Sequence, residues 1–70
     1  MKESVVNTVS ELRLSSGWTQ QELAEKLDIS RQTVIAIEKG NYTPSVLLAL
    51  KVAKCFKKSV HDIFTIVYEK

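Results

Sequence analysis

Seventy residues, 44% apolar and 26% charged, describe one small globular domain. It is too short for the pocket-bearing core of most enzymes and too apolar for a disordered chain. A single cysteine, Cys55, excludes an internal disulfide and a multi-cysteine metal site, and a net charge of +2 by itself names no partner.

The opening residues Met1-Lys2-Glu3-Ser4-Val5-Val6 carry an acid early and no long apolar run, so no secretory signal is expected. The longest apolar run, Val46 to Leu50, is too short to cross a bilayer. With one free thiol, these features point to a soluble cytoplasmic protein.

Apolar residues then recur at three- and four-residue intervals between Gly17, Asp28, Gly40, Pro44 and Ser59, a pattern that predicts five helices. The first spans Asn7 to Ser16, with Val9 and Leu12 on one face and Gly17 stopping it in a left-handed conformation. Trp18 packs back on the core. Thr19-Gln20-Gln21-Glu22 is a capping box that opens the second helix, which runs to Leu27. Asp28-Ile29-Ser30 makes a tight turn, and Ser30 caps a third helix in which Val34 and Ile37 face inward. Gly40 ends that helix. Thr43-Pro44-Ser45 starts the fourth, whose Leu47, Leu50, Ala53 and Cys55 or Phe56 are expected to supply much of the core. Ser59-Val60-His61-Asp62 is a second capping box, opening a single turn with Ile63 and Phe64. The tail Phe64 to Tyr68 is aromatic and β-branched, so it reads as a strand. That strand needs a partner, either the Val5-Val6 segment or a second chain.

Residues 20 to 39 hold the most specific signal: two short helices joined by three residues. Ala24 is small where the helices cross, Leu23 and Leu27 pack inward, and Val34 and Ile37 lock the second helix of the pair. An outer face anchored in this way fits the major groove of B-DNA.

The chain resembles the phage repressor and Cro type of helix-turn-helix regulators, the XRE family, over residues 8 to 64. The likeness rests on Leu12-Arg13, Gly17-Trp18-Thr19-Gln20, Glu22-Leu23-Ala24, Ser30-Arg31, Ile37-Glu38-Lys39-Gly40, Pro44-Ser45 and the stretch Leu50 to Phe56. Asp28 and Lys57 depart from it, standing where the family usually has glycine. The resemblance implies an all-α, five-helix lambda-repressor-like DNA-binding domain with a short C-terminal β-strand. It forms one domain over residues 1–70, with a core at about 7–64 and a tail at 64–70.

By the same resemblance, Arg31 and Gln32 read bases from the first turn of the recognition helix, with Thr33 and Ala36 behind them. Their chemistry suits this work: arginine forks onto guanine, glutamine onto adenine, and alanine or a threonine methyl can touch the thymine methyl. Gln20, Ser30, Lys39, Asn41, Tyr42 and Thr43 are expected on phosphates. For Tyr42 a ring packed over the fourth helix is the alternative. Arg13 and Glu38 match a structural pair bridging the first and third helices. Lys39, Lys51, Lys54, Lys57 and Lys58 make residues 39–58 free of acids, which is either one positive side of the fold or a solvated helix face.

Cys55 is expected to act as a small hydrophobe and His61 to be solvated. No metal, no cofactor and no enzymatic activity are expected, because neither a ligand cluster nor a nucleophile-base set is present. The expected function is that of a transcriptional repressor without an attached effector domain, dimerising on a palindromic double-stranded operator. The two-fold interface would use Val60, Ile63, Phe64, Ile66 and Tyr68. An antitoxin that also masks a toxin protein, or a protein-interaction module with the same fold, are the alternatives.

Overall fold

The computed structural model describes residues 2–69; Met1 and Lys70, the ends of the expected domain, lie outside the described residues. The order of elements is β1 (Lys2–Asn7), α1 (Val9–Ser15), α2 (Gln20–Leu27), α3 (Arg31–Glu38), α4 (Val46–Phe56), α5 (Val60–Ile63) and β2 (Phe64–Glu69). Five helices thus surround the core, and the two strands pair antiparallel in one small sheet. The expectation of an all-α class is corrected accordingly, and of the two partners expected for the tail strand the Val5-Val6 segment is the one used. β2 finds its partner in the same chain, with Val5 opposite Ile66 and Asn7 opposite Phe64.

The helix ends follow from local chemistry. Thr19, Ser30, Ser45 and Ser59 each accept, through their side chains, the amide three residues on, and at Thr19 and Ser59 the acid at that position bonds back to complete a capping box. The first four helices all stop in one way. A left-handed residue, Gly17, Asp28, Gly40 or Lys57, lets the next amide bond a carbonyl five residues back: Trp18 to Arg13, Ile29 to Ala24, Asn41 to Ala36 and Lys58 to Ala53. Two of the four positions hold side chains that adopt this conformation at a cost.

The core gathers Val9, Leu23, Ala24, Leu27, Val34, Ile37, Leu48, Val52, Ala53 and Ile63. The inward face of α4 is therefore Leu48, Val52 and Ala53. Leu47 and Leu50, expected inside, are 68% and 54% exposed. The expectation erred because α4 reads VLLALKVAKCF, apolar almost all round, so the side turned toward α2 and α5 is set by packing and not by pattern. Trp18 stacks on Phe56 with ring centroids 5.6 Å apart, closing the core beside α2.

The first helix also begins two residues later than its pattern suggested. Asn7 belongs to the end of β1, where its carbonyl oxygen Oδ1 accepts the Val9 amide at 3.0 Å. It therefore caps α1 from outside the helix.

Candidate nucleic-acid interface

Helices α2 and α3 are joined only by Asp28, Ile29 and Ser30, so their crossing is set within a few residues. Fully buried Ala24 permits close approach, and buried Val34 and Ile37 fasten α3 to the core. Polar contacts then fix how α3 is turned. The Arg13 Nε donates to Glu38 Oε2 at 2.7 Å and its Nη2 to Oε1 at 3.3 Å, while Nη1 donates to the Trp18 carbonyl at 2.9 Å. Gln20 Nε2 donates to Glu38 Oε1 at 3.1 Å. One carboxylate on α3 is thereby held by α1 and by the first residue of α2. At the same end of α3, Asn7 Nδ2 donates to the Ile37 carbonyl at 2.9 Å, a second bond to an oxygen that also accepts the Gly40 amide.

Held on its inner side, α3 turns Arg31 and Gln32 to solvent, and its first turn carries no acid. Thr33 and Ala36 are half-buried. The Thr33 hydroxyl lies 2.8 Å from that of Ser30, whose oxygen also accepts the Thr33 amide, so both hydroxyls have local partners. Lys39, Asn41, Tyr42 and Thr43 are exposed just beyond the C-terminal end of α3. Tyr42 is 43% exposed. Gln20 is half-buried, and its side-chain amide already gives one hydrogen bond to Glu38.

Other residues fall elsewhere. Ile63, expected in a dimer interface, is 1% exposed and belongs to the chain's own core, so it has no surface to offer a partner. Val60 and Phe64 are half-buried against that core, whereas Ile66 and Tyr68 are exposed on β2. Lys51 and Lys54 do not join the α3 face. They line a groove with Trp18, Lys26 and Cys55, where the Lys26 ammonium sits 4.6 Å from the Trp18 ring centre. Burial pushes the Cys55 thiol up from its ordinary value, against the opposing charge of Lys26, and so keeps it a poor nucleophile. His61 is exposed, and among the described residues no cluster of side chains could hold a metal ion.

The residue that sequence reasoning missed is Asn7. Its side chain joins the end of β1, the start of α1 and the end of α3. An asparagine directly before a helix is a cap signal, but its second bond reaches thirty residues along the chain and leaves no local trace.

Two short helices meeting at a three-residue turn, the second presenting a polar first turn and pinned on its inner side, define a helix-turn-helix domain. The chain matches the helix-turn-helix family over residues 9–63. It is 52% identical over 58 residues to an uncharacterized HTH-type transcriptional regulator of Bacillus subtilis, YgzD, covering 83% of this chain and 88% of that one. A second uncharacterized HTH-type transcriptional regulator, from Methanocaldococcus jannaschii, is 51% identical over 63 residues, covering 90% and 92%. The fold is shared with the crystal structure of a protein from Bacteroides fragilis to which DNA binding has been ascribed. That likeness has a TM-score of 0.77 at 20% identity and covers 87% of this chain and 98% of the other. The chain belongs to the XRE-type helix-turn-helix family of transcriptional regulators.

Proposed function

We propose that the protein binds double-stranded DNA in a sequence-specific way, inserts α3 into the major groove and regulates transcription as a repressor by occupying its operator. The observation that carries this reading is the outward presentation of Arg31 and Gln32 on a helix tied on its inner side by the largely buried side chains of the Arg13–Glu38 pair. A base-reading side chain discriminates only if the helix beneath it cannot roll. Lys39 and the loop Asn41, Tyr42 and Thr43 stand on the flank, where phosphates would fix the register. Ser30 and Thr33 hold each other's hydroxyls and would exchange that bond for phosphate or base contacts. A protein-interaction module has less support, because the exposed first turn of α3 offers a cation and an amide and no apolar anchor.

The reading includes a symmetric dimer. One recognition helix covers too few base pairs to discriminate among genomic sites, so two copies about 34 Å apart in successive grooves are required. Ile66 and Tyr68 on β2, together with half-buried Val60 and Phe64, make up one part of the apolar surface for this contact. The exposed Val46, Leu47 and Leu50 of α4 extend it. Thr43, three residues before Val46, shares a surface hollow with Val5 and Ile66.

Selection of bound duplexes from a random pool, followed by gel shifts and sedimentation, tests this reading. Enrichment of a palindromic site by a micromolar dimer supports it. Failure to enrich any sequence contradicts DNA reading. A monomer whose state is unchanged in Leu50→Lys and Ile66→Lys contradicts the dimer. Stable capture of a second protein through the same apolar surface would favour the antitoxin reading.

A further inference from the structure

The recognition helix carries one large aliphatic side chain that the core does not use. Val34 and Ile37 of α3 are fully buried, and the half-buried apolar side chains packed against the core are Leu12, Trp18, Ile29, Cys55, Phe56, Val60 and Phe64. Ile35 is half-buried but belongs to neither group. At about 100° per residue, the inward direction of α3 lies midway between Val34 and Ile37. Ile35 and Ala36 then point about 130° away from it, on either side of Gln32, which is close to diametrically outward.

We propose, as a refinement that rests on the DNA-reading function above, that Ile35 is a specificity-determining residue that reads the 5-methyl group of thymine in the operator half-site. The major-groove edge of a base pair presents hydrogen-bond donors and acceptors, and thymine alone among the four bases adds an apolar group. A branched aliphatic side chain gains by covering that methyl. It loses when pressed on a guanine or cytosine edge, whose polar atoms it would strip of water without replacing their hydrogen bonds. Ile35 thus both attracts thymine and rejects its competitors at one position. Ala36 lies on the opposite flank of Gln32, so its methyl reaches a different base pair. Arg31 is one helical turn before Ile35 on the same side, which sets the base read by Ile35 next to the base read by Arg31.

The test uses the full chain and the site it selects from a random duplex pool. Each thymine of that site is replaced in turn by deoxyuridine, which deletes only the methyl group, and affinities are measured for the natural protein and for Ile35→Ala. At one thymine per half-site, loss of the methyl should weaken the natural protein about fourfold per contact, the worth of one buried methyl group. The same replacement should leave Ile35→Ala unaffected. Selection repeated with Ile35→Asn should change the preferred base at that position alone. If a site is selected but deoxyuridine has no effect anywhere, or weakens Ile35→Ala equally, the role of Ile35 is overturned while DNA reading stands. If no sequence is enriched, the DNA-reading function fails and the role of Ile35 with it.

Discussion

Arg13 and Glu38 meet in two parallel contacts across α1 and α3, at 2.7 and 3.3 Å, with only 11% and 8% of their side chains exposed. The pair is bidentate and largely removed from water; the Trp18 carbonyl accepts a further bond from Arg13, and Gln20 donates a further bond to Glu38. Such a pair adds little net stability over an apolar substitute, but breaking it leaves a buried charge without a partner. Its main effect here is orientation: it decides which side of α3 faces out.

Glu38→Ala is expected to destabilise the fold by about 3–5 kcal/mol, because the Arg13 guanidinium stays buried without its counter-charge. Urea denaturation measures the loss. Replacing both residues by apolar side chains of similar volume should restore much of the stability while lowering DNA affinity, since nothing then fixes the roll of α3.

Arg31→Ala should weaken specific binding by about 1–3 kcal/mol and relax the preference at one base position per half-site. Gel shifts against a panel of operator variants separate this from a phosphate role. Equal loss on every sequence would assign Arg31 to the backbone.

Lys39→Ala should lower affinity for specific and random DNA alike. A phosphate contact acts through counterion release, so the slope of log affinity against log salt should become shallower by about 0.9 for each contact removed. Titrations at several salt concentrations report that slope, and a changed base preference with an unchanged slope would refute the assignment.

Asp28 and Lys57 both sit at φ 57°, in the left-handed region that costs an L-residue about 1–2 kcal/mol. Lys57→Gly and Asp28→Gly should each stabilise the fold by about 1 kcal/mol, or about 4–8 °C in Tm for a domain this small. Calorimetry of the two variants and the double variant checks both size and additivity.

The capping boxes make the fold acid-sensitive in a defined window. The backbone amide and then the side chain of Thr19 hold the Glu22 carboxyl below its ordinary value, and the side chain and then the backbone amide of Ser59 do the same for Asp62. A depressed pKa in the folded state gives stability that is complete above the unfolded value and is lost as pH falls through the folded one. Denaturation midpoints should therefore hold from neutrality to about pH 4.5 and decline below it. Glu22→Gln with Asp62→Asn should flatten that decline.

The helix ends were legible because each cap is a matter of three or four adjacent residues: Thr19 to Glu22, Ser30 to Thr33 and Ser59 to Asp62 announce themselves. The inner faces of α2 and α3 were legible too, since Leu23 and Leu27 stand four apart and Val34 and Ile37 three apart, each pair on one side of its helix. The face of α4 was not, because nine of its eleven residues are apolar and only tertiary contact chooses among them. β1 was recognised only as one candidate partner for the tail, since KESVVN has two adjacent apolar residues and no alternation. The double role of Asn7 and the engagement of Gln20 by Glu38 are long-range bonds with no local signature.

The register that sets Lys2 opposite Glu69 closes almost the entire chain into a loop. Closing so long a loop in an unfolded chain carries a large entropic penalty, while the helices between need only local contacts. The strands are therefore brought together by the finished helical core, with Asn7 and Phe64 as the first rung, and zip outward from there. The sheet is therefore expected to form last, and in native-state hydrogen exchange its outer rungs should be the first to open.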